Sequence, residues 1–307
     1  MTVEHAAVQI ARKPWGVGDL RPWSSIDASG DRVGELWFQR ADKNAPAPAL
    51  LVKLLFTSAP LSIQVHPDDE FARSLGLPNG KTEAWYILEA RPGAQVALGL
   101  KQPVTSTGLR AAIRDGSIAT LVQWIPAAKG DIFFVPAGTI HAIGAGIVLA
   151  EIQQRSDTTF RLFDYGSTRE LHEDSAVAAS NTGPLRIDSG RHRFSLAREV
   201  LVATPYFIVE RVDLAPHSHW TLQVEAETWI LGIAGAGRIG SADLGPGDAV
   251  FTQTDRRPVR VGPDGMSCLI AYPGPDFAAA LLQQSAGQMK TAAAHRPKLN
   301  EIVEART

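Results

Sequence analysis

Short runs of apolar residues recur along the chain, among them Glu35-Leu36-Trp37-Phe38, Leu50 to Phe56, Ile132 to Val135 and Ile147 to Ile152. They are rich in Val, Ile, Phe and Trp and are punctuated by 20 prolines and 27 glycines. Many short strands separated by turn residues predict a β-sandwich or barrel. Helical spacing is rarer. Thr107 to Arg114, with Ser106 or Thr107 as N-cap and Leu109 and Ile113 one turn apart, predicts a helix inserted between strands. Phe277 to Met289, rich in Ala and Leu, predicts a second, and the polar segment from His295 to Thr307 reads as a fraying end.

One alternating run carries chemistry. In Leu61-Ser62-Ile63-Gln64-Val65-His66-Pro67-Asp68, side chains two apart share a strand face. Gln64 and His66 therefore point together, Ile63 and Val65 turn to the other side, toward a core, and Pro67 ends the strand. Glu83 opens the apolar run Ala84-Trp85-Tyr86-Ile87-Leu88, and His141 closes the segment that begins at Gly130. Two imidazoles, a carboxylate and an amide oxygen suit a divalent metal such as zinc, with one position open to water or substrate. The plain alternative for Gln64, His66, Glu83 and His141 is a polar strand face with hydrogen-bonded histidines.

With 307 residues and 45% apolar composition the chain can bury a core and form two moderate domains. A net charge of −2 gives no general attraction to nucleic acid or to an anionic membrane. Any phosphate must be recognised by a few placed cations, so a small partner is expected. The single cysteine, Cys268, excludes an internal disulfide and sits in a run that reads as a buried strand. No run is long enough to cross a bilayer and Met1 to Trp15 lacks the apolar stretch of a signal peptide, so a cytoplasmic location is expected. The oligomeric state is left open.

The spacing Gly130, Pro136, Gly138, His141 resembles the second conserved motif of the cupin barrels. Together with Leu61 to Asp68, Lys81-Thr82-Glu83, Lys13-Pro14-Trp15-Gly16 and the segment Glu151 to Asp164, it narrows the resemblance to type I mannose-6-phosphate isomerases, covering about residues 13 to 166 closely. The family commonly shows Lys-Pro-Glu where this chain has Lys81-Thr82-Glu83. The resemblance implies a mainly β protein of two cupin (jelly-roll) barrels with a few short helices. A metal-binding barrel would span residues 1–180, with a helical insertion near 106–124. A degenerate second barrel would span 181–275, and a helical tail 276–307. A weak internal repeat agrees: the Glu-x-Trp of Glu83 and Trp85 recurs as Glu227 and Trp229. Eleven residues after Gly247, where His141 follows Gly130, stands Pro258. His217, His219 and Glu227 thus lack a fourth ligand and read as a decayed site. Gly235-Ala236-Gly237-Arg238-Ile239-Gly240 matches a dinucleotide fingerprint but is followed by another strand, so it reads as a hairpin. His5, His172, His192 and His295 lie in polar stretches and read as solvent-facing.

The implied reaction interconverts mannose 6-phosphate and fructose 6-phosphate through a cis-enediol, with zinc or another divalent metal as cofactor. It needs a cation at the carbonyl, a group that moves a proton between C1 and C2, and a phosphate anchor. One carboxylate among three neutral ligands leaves a residual charge that would favour an enediolate, a physical reason for Gln64. The resemblance carries catalysis onto Lys81, Glu151 and Arg161, and suggests Ser62 and Lys53 as phosphate contacts. Glu151 would transfer the proton or orient Arg161. Read without chemistry, Arg161 would pair with Asp164 or Asp157 on the surface, Lys81 would be a solvated lysine, and Asp157 a loop cap. The rival functions are a cupin metal oxygenase and a non-catalytic sugar-phosphate binding protein.

Overall fold

The computed structural model describes residues 3–28, 30–185 and 190–285. The fold is mainly β, as three hydrogen-bonded sheets that are open rather than closed. In the first half a six-stranded sheet runs in the order Ala7–Val17, Val33–Gln39, Leu50–Phe56, Ile147–Gln154, Glu83–Ala90, Ile132–Val135. A five-stranded sheet runs Phe160–Phe163, Ile63–Val65, His141–Ile143, Gln95–Leu100, Val122–Pro126. Leu55, Trp85, Ile87, Phe133 and Leu149 from the first meet Val96, Leu98 and Ile143 from the second in one core.

Leu50–Phe56 reads as an unbroken apolar run because both its faces are covered. Leu55 faces the core between the sheets, while Val52, Leu54 and Phe56 pack with Leu201, Phe207, Trp229 and Leu269 of the second half. The exception inside that strand is Lys53, a charge 3% exposed. On the outer face of the five-stranded sheet, Ile63 and Val65 meet Leu109, Ala112 and Ile113 of the inserted helix. This helix spans Ser106–Asp115, and its N-cap is Thr105, whose side chain accepts from Gly108 N–H, rather than Ser106 or Thr107. A second short helix, Ile118–Leu121, completes the insertion.

Nine second-half strands, with Glu4–His5 from the first half, form a ten-stranded sheet around the long strands Thr228–Ile239 and Asp255–Pro273. The glycine-rich segment from Gly235 lies in the first of these and leads into Ala242–Leu244, with which it pairs as the expected hairpin. The helix expected over Phe277 to Met289 does not form in its described part. Leu282–Gln284 instead pairs as a strand with His219–Val224, and residues 286–307 lie outside the described residues. Arg198 accounts for this in part: its guanidinium donates to the carbonyls of Ala278 and Ala279 and forks onto buried Glu210. The Ala278 carbonyl also accepts from Leu281 N–H at 3.1 Å, so the segment closes a single turn before Leu282 enters the sheet. No helix among the described residues is long and apolar enough to cross a membrane.

The halves are stitched at their edges as well as through the core. Glu4–His5 pairs with Ala249–Thr252 of the second-half sheet. The Glu227 carboxylate accepts from the backbone N–H of Ala49 and Leu50, at 2.6 and 2.8 Å. Replacing Glu227 by Ala should therefore lower unfolding stability by about 2–3 kcal/mol, the scale of lost hydrogen bonds to a charged group, read as a shift in the urea midpoint. An unchanged midpoint would show that this carboxylate does not join the halves.

Candidate metal centre and sugar pocket

Register places the chemistry. Across the five-stranded sheet, Arg161 lies opposite Gln64, Gln64 opposite His141, and His141 opposite Leu98. Across the six-stranded sheet, Trp37, Lys53, Glu151 and Trp85 form another row, and Glu83 lies opposite Gln153. Facing the two sheets brings these rows together over a cavity of about 220 Å³.

Three of the four expected ligands converge. His66 Nε2 lies 3.4 Å from Glu83 Oε2, and His141 Nε2 lies 3.5 Å from Glu83 Oε1. Each residue is 1% exposed, and one ligand atom from each falls within 4.8 Å of the others. Backbone carbonyls set both rings. His66 Nδ1 donates to Thr158 O and His141 Nδ1 to Thr139 O, each at 2.8 Å. A carbonyl can only accept, so both protons are assigned to Nδ1 and both Nε2 lone pairs face the cluster. Gln64 Nε2 lies 3.3 Å from His141 Nε2, and Ser62 Oγ donates to Gln64 Oε1 at 3.1 Å. Exchanging amide oxygen and nitrogen would turn an oxygen to the cluster while Ser62 accepts instead. The donor set therefore fits a divalent cation: two neutral imidazole lone pairs, a carboxylate and an adjustable amide.

The turn that delivers His141 shows why its motif is spaced as it is. Gly138 adopts φ +84 and its N–H donates to the His66 carbonyl at 2.8 Å, binding the turn to the strand of the first ligand. Thr82 also grips this turn, accepting from Ala137 N–H through Oγ1. Its own N–H donates to Gln154 Oε1 at 2.9 Å, a bond that a proline at this position could not make.

A chain of alternating charges fills the floor. Lys13 lies 3.4 Å from Glu35, Glu35 3.9 Å from Lys53, Lys53 3.5 Å from Glu151, Glu151 3.4 Å from Lys81, and Lys81 2.8 Å from Glu83. The Lys81 ammonium faces two of the candidate ligand atoms at once, Glu83 Oε2 at 2.8 Å and His66 Nε2 at 3.0 Å. Burial works against charge on both Lys81 and Glu83, yet Glu151 and Glu83 hold the Lys81 pKa above its ordinary value. For Glu83, burial is outweighed chiefly by Lys81 and then His141, and its pKa falls to about 2. Burial, then the Lys81 ammonium, pushes the His66 pKa well below 6.5, and burial lowers that of His141.

The other expected residues are placed as follows. Lys81 and Glu151 are buried beside the cluster, so the solvated reading of Lys81 fails. Glu151 pairs with two lysines rather than with Arg161. Arg161 lines the cavity without a carboxylate partner among the described residues, because Asp164 is taken by Arg169. Asp157 lines the cavity and is exposed. Glu35, Arg169 and His172 also line it and were not singled out for a role; His172 is half-buried there rather than solvent-facing. A charged residue within an otherwise apolar strand was the available signal for Glu35. In the second half Glu227 is committed to backbone amides, and among the described residues the three-ligand cluster of the first half is the one that could hold a metal. A larger hollow of about 810 Å³, lined by Gly16, Arg21, Arg32 and Arg91, has no such convergence of buried ligands.

No protein-family model matches the sequence. The mannose-6-phosphate isomerase of Streptococcus mutans is 31% identical over 245 residues, covering 67% of this chain and 77% of that protein. The chain belongs to the type I mannose-6-phosphate isomerase family. Within that family, mannose-6-phosphate isomerase ManA of Bacillus subtilis is 43% identical over 135 residues, 42% of each chain. The crystal structure of the mannose 6-phosphate isomerase from Bacillus subtilis superposes with a TM-score of 0.77 at 26% identity, covering 89% of this chain and all of that one. Kinship at this level makes the chain an isomerase of the family.

The depressed histidines predict an acid-sensitive fold. Below pH 6.5 the unfolded imidazoles take up protons that the buried rings refuse, so stability falls as pH falls, while Glu83 stays ionised throughout. Chelator-treated protein should lose up to about 1.4 kcal/mol per histidine for each pH unit below 6.5, measured by chemical denaturation. His141→Gln should show a shallower slope; an identical slope would remove this residue as the cause.

Proposed function

We propose that the chain interconverts mannose 6-phosphate and fructose 6-phosphate through a cis-enediol, at the cavity between the two first-half sheets. The observation that carries this reading is the convergence of His66, Glu83 and His141 with the buried Lys81–Glu151 pair, in a chain of this family. His66, Glu83 and His141 would hold one divalent metal, zinc by its donor set, with Gln64 as fourth ligand through Oε1. When bound, the metal supplies Lewis-acid polarisation of a carbonyl and the neighbouring hydroxyl.

The chain's own groups do the rest. Lys81, kept protonated by two carboxylates, donates to the oxygen on which negative charge develops. Glu151, flanked by Lys53 and Lys81 within 3.5 Å, carries the proton between C1 and C2. Arg161 holds the sugar phosphate from the half-buried rim. Ser62 sets the Gln64 amide and, with Lys53, contacts the sugar at the floor. Since Lys53 already serves Glu35 and Glu151, its part is to order hydroxyls and Glu151 rather than to neutralise a phosphate. We read the facing sheets of the first half as one cupin barrel and the second half as a barrel that lost its ligands. The lone buried Cys268 suits the cytoplasm.

Purified protein should isomerise mannose 6-phosphate, lose that activity on chelation and regain it with zinc. His141→Ala should abolish both metal binding and turnover, and turnover retained without metal would overturn the reading. Glu151→Gln keeps size and polarity but cannot carry the proton. It should lower kcat by about 10²- to 10⁴-fold with metal still bound, and an unchanged kcat would move the proton transfer elsewhere.

A further inference from the structure

We infer that the phosphate group of the substrate is read at the cavity mouth by Arg169 and the Nε2–H of His172, acting with Arg161. The inference rests on the sugar-phosphate reading above. It starts from where the cavity still has donors to offer. On the floor each ammonium is spent: Lys53 on Glu35 and Glu151, Lys81 on Glu83 and Glu151. Four carboxyl oxygens stand around those two lysines, and a phosphate dianion there would meet Glu35 and Glu151 as well as the cations.

The mouth differs. Arg161 has no carboxylate partner among the described residues and makes only a long 3.5 Å contact to the Glu170 carbonyl. Arg169 is held side-on by the buried Asp164, Nε to Oδ2 at 2.7 Å and Nη2 to Oδ1 at 2.5 Å. That pairing uses two of its five N–H groups and fixes the plane of the guanidinium. The end-on fork of Nη1 and Nη2 remains for a second oxyanion. His172 is oriented by Arg161 itself: the Arg161 N–H donates to His172 Nδ1 at 3.1 Å, and the His172 N–H donates to the Arg161 carbonyl at 2.9 Å. An Nδ1 that accepts carries no proton, so the neutral ring presents Nε2–H as a donor. Asp157, the exposed acid in the same lining, and Asp164 offset part of the positive charge. The subsite therefore selects phosphate by directed N–H groups more than by net charge.

Position agrees with the chemistry. Arg161 lies directly across from Gln64 in the sheet, so the segment Phe160 to His172 spans from the metal-ligand row to the rim. An open-chain hexose 6-phosphate needs that separation, with C1 and C2 at the floor and the phosphate four carbons away. The Asp164–Arg169 clasp closes the loop between them, which holds the fork before substrate arrives.

The test compares wild type, Arg169→Met, His172→Gln and His172→Leu, using titration calorimetry with inorganic phosphate and steady-state kinetics with mannose 6-phosphate. Arg169→Met should weaken phosphate binding about 10- to 100-fold and raise KM by a similar factor, with the loss falling on KM more than on kcat. His172→Gln keeps a donor near the Nε2 position and should bind phosphate better than His172→Leu, although both lose the Nδ1 acceptor. Phosphate binding unchanged in Arg169→Met, or equal loss in the two His172 variants, would overturn the respective assignment. If wild type isomerises mannose 6-phosphate while Arg169→Met alters neither KM nor phosphate affinity, the subsite fails and the isomerase reading stands. If wild type binds phosphate through Arg169 yet turns over no mannose 6-phosphate, the subsite stands and that reading fails.

Discussion

Six charged side chains lie in sequence from the rim of the first-half sandwich to its metal-ligand cluster: Lys13, Glu35, Lys53, Glu151, Lys81 and Glu83. Five of them are nine-tenths or more buried, the exception being Lys13. A lone charge at such depth would cost several kcal/mol and would lose or gain a proton instead. Alternation of sign gives the buried lysines Lys53 and Lys81 two carboxylates each, and every buried carboxylate at least one lysine. This constraint shapes the strands around it, since Glu35, Lys53, Glu151 and Glu83 sit on four adjacent strands of one sheet, and a slip of register by one residue would turn a charge into the opposite, apolar core.

The same chain explains why the floor and the mouth of the cavity behave differently. At the floor, charge is balanced and fixed, as the proposed proton transfer would require. Toward the rim the balance loosens: Arg161 makes no ion pair with a carboxylate among the described residues, and Arg169 keeps one edge open. Burial keeps the imidazoles of the cluster neutral, while the backbone carbonyls of Thr139 and Thr158 fix their tautomer and orientation. The Thr139 carbonyl lies in the turn that delivers His141, and the Thr158 carbonyl in a loop that carries none of the candidate ligands, so the cluster also depends on that loop. Thr82 shows how a departure from the family's Lys-Pro-Glu is absorbed, by a hydrogen bond to Gln154 that a proline could not donate.

The second half serves the first without sharing its chemistry. It covers the outer face of the six-stranded sheet, and that cover lets Leu50–Phe56 be apolar on one face while bearing Lys53 on the other. Glu227, which the internal repeat aligns with Glu83, spends its carboxylate on the backbone of Ala49 and Leu50. The residue that the repeat aligns with Glu83 of the candidate cluster thus helps hold the two halves together.

Local pattern determined much of this protein. Period-two alternation placed Gln64 and His66 on one face. The apolar runs marked the strands, Leu50–Phe56 to the residue, and the Pro-x-Gly-x-x-His turn marked His141, because strand pleat, proline and positive φ act within a few residues. What only the tertiary structure decided were the pairings across sequence. Arg161 could have met Asp164 or Asp157, but Arg169 takes Asp164, and no local rule ranks those partners. Glu35 and His172 looked like ordinary strand and surface residues until neighbouring strands brought them to the cavity. The expected final helix gave way, over its described part, to a turn and a strand, since Arg198 and the edge strand His219–Val224 outbid helix propensity with buried hydrogen bonds. Spacing along the chain fixes which way a side chain points, and the partner it finds there depends on strands that are far away in sequence.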